Sequence, residues 1–431
     1  MRTFIKFSLV IAALGLGTGI QAQNRDLDNF RQPDKRGINV FESPKDTAST
    51  FDGVKVRVGG ASTLQYQAID HENATGAAAL IPITNNFNLA TANLDLDVAL
   101  AKGLRMHLRT YLSSRHHPEP YVKGGYFQID NLDFIKEGLA SDLMKNVTIM
   151  FGHMETNYGD AHFRRTDNAQ ALYNPFVGNY IMDSFTTEVG AEVYYRKNGF
   201  LAMLGTTNTK LNQDVKDDVV NGNPSPSVVA KLGYDKQINT DLRVRFTGSL
   251  YNTAWATRTY LYAGDRAGSR YYFVMAPPTT GTPPVATTGA NVFTTGRYNP
   301  NFNNKLTAIM FNPFVKYKGL EFFGMLELTN GKNINETDRR KASQYGAELL
   351  YRFGNNENFY FGGRYNTVSA EDVSGKDIDI TRFNIGGGWF MTKNILAKVE
   401  YVTQKYEGFA TGNILDGGKF SGFVAEAVIS F

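Results

Sequence analysis

Residues 93–112 read NLDLDVALAKGLRMHLRTYL. Leu94, Leu96, Val98 and Leu100 alternate with Asp95, Asp97 and Ala99. After Ala101-Lys102-Gly103, Leu104, Met106 and Leu108 alternate with Arg105, His107 and Arg109. A period of two places successive side chains on opposite faces of a β-strand, and the Lys-Gly between the runs marks a hairpin. Each strand therefore has one apolar face and one charged face. A soluble sandwich would turn the apolar face to a core, whereas a barrel in lipid turns it outward and keeps Asp and Arg in a wet lumen.

The same device recurs along the chain. TEVGAEVYYRKNGFLAML (187–204) sets Val189, Ala191, Val193 and Tyr195 against Glu188, Glu192, Tyr194 and Arg196, around Lys197-Asn198-Gly199. DLRVRFTGSL (241–250) sets Leu242, Val244, Phe246 and Leu250 against Arg243, Arg245, Thr247 and Ser249. About seven short links are expected, near 101–103, 135–146, 197–199, 236–241, 318–319, 354–358 and 392–394; the second could instead be a helical turn. Long links alternate with them, near 70–85, 115–124, 156–183, 211–224, 253–304, 330–341, 370–378 and 407–417. Seven hairpins, a first strand near Val54 and a terminal strand in GFVAEAVISF (422–431) add up to about 16 strands. An extended RYYFVMA at 270–276 would raise the count to 18. The terminal strand, apolar at Phe423, Ala425, Ala427, Ile429 and Phe431, needs a partner, and the Val54 strand supplies it if the sheet closes. The fold class expected is thus all-β, a transmembrane antiparallel β-barrel. A propeller would require a self-similar blade motif, which is not found.

The first residues, MRTFIKFSLVIAALGLGTGIQAQ, have the layout of a secretion signal over 1–22, with the mature chain starting at Gln23. Residues 23–53 are polar and aperiodic and are expected to form an N-terminal periplasmic extension; the barrel takes 54–431. Removing Arg2 and Lys6 lowers the net charge from +4 to about +2, which gives no reason to expect nucleic acid as a partner. The chain has no cysteine, so disulfides, thiolate metal sites and a cysteine nucleophile are excluded. After the leader no run of 18 apolar residues follows, yet 13% of the chain is aromatic. That combination fits strands in a membrane better than helices.

On the leader, the link rhythm and the C-terminal VISF, the chain resembles a bacterial outer-membrane porin of the general 16-stranded class, and more loosely the phosphate-selective porin O/P type. The resemblance implies an outer-membrane homotrimer passing small hydrophilic solutes. It makes Phe431 an assembly signal read by the barrel-assembly machinery, with outer-membrane lipid around the wall. It also implies that the third long link, TNYGDAHFRRTDNAQALYNPFVGNYIMD (156–183), folds into the lumen as the constriction, with Arg164, Arg165, His162, Asp160 and Asp167 at the eyelet.

Strand parity independently turns Arg105, His107, Arg109, Arg196, Lys231, Arg243, Arg245, Lys316, Arg352, Arg364, Arg382 and Lys398 inward. It does the same for Asp95, Asp97, Glu188, Glu192, Asp235, Glu321, Glu327, Glu348, Glu400 and Glu426. On the lipid face an Arg or Lys would cost about 2–4 kcal/mol at the midplane, which favours this parity. With the two signs nearly balanced, position rather than composition has to set any ion preference. The expectation is a mild anion preference, from Arg105/Arg109 and Arg243/Arg245 stacked up one wall. Tyr195, Trp389, Tyr401 and Phe431 fall on the outward parity as belt aromatics.

Enzyme chemistry finds little support. His116-His117 lack further spaced ligands, and Asp214, Asp217 and Asp218 lack a recognised cation-loop pattern. In GNILDGGKF (412–420) Phe420 stands where a phosphate-binding loop needs a hydroxyl, and Gly386–Gly388 sit in a strand where they let neighbouring side chains pack. No cofactor or metal is expected. The alternative to a diffusion channel is a non-channel barrel, either a subunit of secretion or attachment machinery or a rim enzyme.

Overall fold

A computed structural model describes residues 27–431 except 114–116, 167–169, 213–214, 216–223, 265–267 and 279–293. The expected leader, Asp167, His116 and the acidic trio Asp214, Asp217 and Asp218 lie outside the described residues.

Sixteen antiparallel strands close into one barrel. They are β1 (Lys55–Glu72), β2 (Asn86–Ala101), β3 (Leu104–Ser113), β4 (His117–Ile129), β5 (Val147–Glu155) and β6 (Thr187–Lys197). Next come β7 (Phe200–Thr207), β8 (Ser227–Gln237), β9 (Leu242–Thr253), β10 (Lys305–Tyr317) and β11 (Leu320–Lys332). The last five are β12 (Arg340–Phe353), β13 (Phe359–Glu371), β14 (Asp377–Phe390), β15 (Ile395–Glu407) and β16 (Lys419–Ser430). Each strand pairs with its sequence neighbours, and β16 pairs with β1 in the register Ala61↔Ser430. Gly60 and Phe431 finish the seam by exchanging two backbone hydrogen bonds of 3.0 Å. The terminal phenylalanine thus has the partner its pattern demanded, and the segment at 270–276 adds no strand to the wall.

Alternation along the strands becomes an inverted distribution of polarity. On β12 Leu349 and Tyr351 are 54% and 57% exposed on the outside, while Glu348 and Leu350 on the alternate positions are each 1% exposed. The outer face is apolar and ends in rings towards the turn end of the barrel. There Tyr351, Phe353, Phe359 and Trp389 form a stacked row across β12, β13 and β14, with centroids 5.7–6.1 Å apart. Tyr195, Trp389 and Phe431 are exposed outward as expected, and Tyr401 packs on Phe423 at 5.0 Å. Rings at this level suit the boundary between hydrocarbon and headgroups.

Turn chemistry fixes the hairpins. Asn198 and Gly199 both have positive φ (54° and 92°), as a two-residue turn matching the strand twist requires. In β14 a Cβ on Gly388 would lie 2.4 Å from the Tyr360 ring, so glycine there makes room for an inward aromatic. The link lengths depart from a strict rhythm. Residues 117–124, expected in a long loop, belong to β4, so the β3–β4 link spans only 114–116. The turn-end link at 130–146 is instead long and carries a one-turn helix, α1 (Ser141–Met144). Extra hydrogen bonding favours this outcome, since extending β4 lets Tyr121 and Val122 pair with Tyr111 and Thr110.

A midplane charge on the outer wall is the direct test of which face meets lipid. Leu349→Arg should lower the unfolding free energy in lipid vesicles by about 2–4 kcal/mol, against about 0–1 kcal/mol for Ser343→Arg near the rim. Urea titration of both variants in the same vesicles measures the difference.

Candidate functional site

Every inward charge named from strand parity faces the bore. Glu188, Lys231, Arg245, Glu348, Arg364, Lys398 and Glu400 are among the most buried groups of the chain. They are not bathed in an open lumen. Three chain segments enter the bore and take up most of these charges, which replaces the water-filled channel expected from the sequence.

The first insert is the third long link, 156–186 between β5 and β6. Its Arg164 bridges Glu321 (2.7 Å) and Glu348 (3.0 Å), which also hold Arg352 (2.8 Å) and Arg364 (2.7 Å) of the wall. Arg165 closes on Asp183 within the loop, at 2.6 Å. The loop's peptide groups are met by wall side chains: Val177 N–H donates to Glu400 (2.8 Å), Ile181 N–H to Asn366 (2.8 Å) and Met182 N–H to Gln344 (2.9 Å). Lys398 Nζ donates to the carbonyls of Ala171 and Phe176, and Arg364 Nη1 to that of Gly178. A non-regular backbone inside a barrel has no ladder of its own, so the wall has to supply its partners.

Asp160, on the same loop, receives Arg245 and Lys231 at 2.8 and 3.0 Å. Burial by itself would raise its carboxyl, but these two charges overcome that and hold it well below the usual range. His162 lies between Glu155 and Asn157, each at 2.9 Å, and burial favours its neutral form. The loop therefore does enter the lumen. Its Arg164, Arg165 and Asp160 are engaged in ion pairs, and His162 borders open space.

The second insert is the link between β9 and β10. Tyr272 exchanges two hydrogen bonds of 2.8 Å with the Gln67 side chain, as though the glutamine were a short strand. Arg270 pairs with Glu426, which also takes Lys398 at 2.7 Å. This is where the RYYFVMA segment goes: along the inside of β1 and β16.

The third insert is the N-terminal segment from Leu27, expected as a periplasmic extension, loosely ordered or docked on the barrel. It enters the bore from the turn end. Lys35 N–H donates to the Lys393 carbonyl (2.8 Å), Asn39 Nδ2 to Glu321 (2.7 Å), and Phe41 packs edge-on against Phe314 (5.4 Å). Glu42 takes a two-pronged contact from Arg245 (2.8 and 2.9 Å), and Lys45 reaches Asp130 (3.1 Å). Burial opposes the Glu42 charge, but Arg245 and Lys231 hold its carboxyl well below the usual range.

Against the inside of β1–β6 lies a cavity of about 180 Å³, and a second of about 280 Å³ opens at the turn end between Glu42, Arg196, Asp235 and Arg245. Asp95, Asp97, Arg105, His107, Arg109, Glu192 and Arg196 line the first, all expected from parity. Phe30, Arg31, Glu42, Arg57 and Lys123 join them and were not expected. Arg57 was legible, since Val54, Val56 and Val58 alternate around it; Lys123 was hidden by the loop assignment of 115–124. Nothing periodic marks Phe30, Arg31 or Glu42. Arg109 is held two-pronged by Asp95 at 2.7 Å, while Asp97 serves His107 (2.8 Å), Arg57 and Arg105 (both 3.3 Å). One carboxylate against two guanidiniums leaves positive charge in excess.

No protein-family model matches the chain, and no curated protein matches its sequence. Solved structures match its shape. An anion-selective porin from Comamonas acidovorans is 12% identical, with a TM-score of 0.53 over 88% of this chain and 100% of that one. The outer-membrane channel DcaP of Acinetobacter baumannii is 12% identical, with a TM-score of 0.52 over 88% and 98%. The outer-membrane protein OmpT of Vibrio cholerae, in a trimer form, is 12% identical, with a TM-score of 0.51 over 88% and 100%. The fold is that of a 16-stranded outer-membrane porin.

Glu348 holds loop and wall together, so its loss exposes how the insert is seated. Glu348→Gln strips Arg164 and Arg364 of a shared charge and should cost about 3–5 kcal/mol, the scale for breaking a buried pair. Arg36→Gln, at a half-exposed contact with Asp34, should cost less than about 1 kcal/mol. Denaturant unfolding in detergent micelles compares the two.

Proposed function

We propose that the chain, after loss of residues 1–22, is a channel of the bacterial outer membrane through which small hydrophilic solutes diffuse without energy input, with a mild preference for anions. The observation that carries this is the inverted barrel: an apolar, aromatic-ended outer wall around a lining that is charged on every strand pair, as at Leu349 and Glu348. Such a wall is stable only with hydrocarbon outside, and the lining charges that the inserts leave uncovered suit polar solutes. The passage follows the β1–β6 wall, where the cavity of about 180 Å³ lies. The reading assigns the protein no reaction.

Within this reading, loop 156–186 narrows the bore, and Arg164 and Arg165 act by holding that loop in place. His162 and Phe163 face the passage. The excess guanidinium charge around Asp97 supplies the anion preference, and Phe431 serves as the assembly signal. By analogy with the trimeric Vibrio cholerae neighbour, the native form is a homotrimer, which sedimentation in density-matched detergent would measure.

The dense packing of the inserts favours one alternative, a sealed barrel serving attachment or secretion. Planar-bilayer recording separates the two. A channel gives discrete current steps and a zero-current potential in a KCl gradient with the sign of anion preference. A sealed barrel gives no steps, and clear cation preference removes the selectivity claim. Replacing both Arg164 and Arg165 with Ala should loosen the loop and raise the unit conductance; an unchanged conductance takes the loop out of the constriction.

A further inference from the structure

Selectivity in a loop-constricted barrel is looked for on the loop. Here the loop's arginines are committed to Glu321, Glu348 and Asp183. The uncommitted cationic edges belong to other elements. Arg31, on the N-terminal insert, donates Nε to the Gly37 carbonyl and Nη2 to the Phe163 carbonyl, both at 3.1 Å. Its guanidinium lies 3.8 Å from the Tyr173 ring centroid, and no carboxylate among the described residues comes within ion-pair distance. Among the described residues its Nη1 has no hydrogen-bond partner. Among the described residues Arg57, on β1, donates only through Nη1, to Asp97. Both residues line the cavity, and Phe30, next to Arg31 in the chain, has Arg57 and Arg105 over its ring at 5.1 and 5.2 Å.

The carboxylates nearby are already engaged. Asp95 is held by Arg109, Glu42 by Arg245, and Glu155 accepts from Gln170 (2.9 Å) and contacts His162. A ring against the flat face of a guanidinium blocks that face and leaves the in-plane N–H edge as the route to a ligand. A planar carboxylate matches that edge with two parallel hydrogen bonds. The cavity of about 180 Å³ sets the size. It holds roughly six waters, or a molecule slightly larger than benzene, which occupies a cavity of about 150 Å³.

We propose that Arg31 of the N-terminal insert and Arg57 of β1 form a binding seat for a small carboxylate, up to one ring in size. The N-terminal segment, rather than the third loop, then carries the channel's solute selectivity. This rests on the channel reading for its biological meaning, but the seat itself can be tested apart from it.

The mature protein in a planar bilayer, bathed in KCl, is titrated with sodium benzoate. The expected result is a saturable block of current. Arg31→Gln raises the half-blocking concentration about tenfold, the loss of one charge-assisted contact. Arg31→Lys keeps the anion preference but not the block, because an ammonium lacks the fork. Lys376→Gln, on an exposed loop-end link, leaves both unchanged. In a conducting protein, block that is absent, or equal in Arg31→Gln and the parent, overturns the seat. Calorimetry of benzoate with detergent-solubilised protein reads the same site without current. Heat that disappears in Arg31→Gln supports the seat even if no current flows, in which case only the channel reading falls. Equal heat in both proteins overturns the seat.

Discussion

A polypeptide crossing hydrocarbon has no water to satisfy its peptide groups, so every N–H and C=O must find a partner in the chain itself. In a sheet this is possible only if the two edge strands meet. The pairing of β1 with β16, finished by the Gly60–Phe431 exchange, is therefore the contact on which the rest depends. Unmade, it would leave two long edges exposed to lipid. Made, it forces the sheet to have an inside and an outside, and the period-two pattern assigns each side chain to one of them.

Closure then reverses the usual roles of core and surface. Leu349, Phe361 and Phe423 face outward, while Glu348, Arg364 and Glu400 are almost wholly enclosed. In an ordinary protein a core of such charges would be unstable against desolvation. Here they act as sockets. Each insert arrives with peptide groups and a few charges of its own, and the wall answers them: Glu400 takes the Val177 N–H and the Tyr271 hydroxyl, and Arg245 takes both Asp160 and Glu42. Arg245 thus connects the wall, the third loop and the N-terminal segment in one cluster. Its burial is tolerable because two carboxylates surround it.

This arrangement explains how a wide barrel comes to have a narrow interior. Most of the sockets lie on β8–β16, while in the space left against β1–β6 several wall charges pair among themselves. Asp97 shared between Arg57, Arg105 and His107 is the clearest instance. All four groups are on the neighbouring strands β1, β2 and β3, so the wall there is tied together by its own charges as well as by Phe30 of the N-terminal insert.

The sequence by itself determined an even count of about 16 strands, the closure, the outward aromatics and the inward direction of most wall charges, Arg57 and Lys123 excepted. These follow from local alternation and turn chemistry, and lipid enforces them by penalising a one-residue slip at every position. It misjudged β4 because Pro118 and Pro120 break the local pattern, although pairing with β3 carries the strand through them. It could not reveal what fills the bore. Whether Arg164 lines a passage or anchors a loop depends on Glu321 and Glu348, more than 150 residues away. The N-terminal segment has no periodicity to read, because its conformation is dictated by sockets on β9, β11 and the β14–β15 turn. Only the closed barrel, by bringing those sockets to one axis, decided where residues 27–53 go and that Arg31 ends in the cavity.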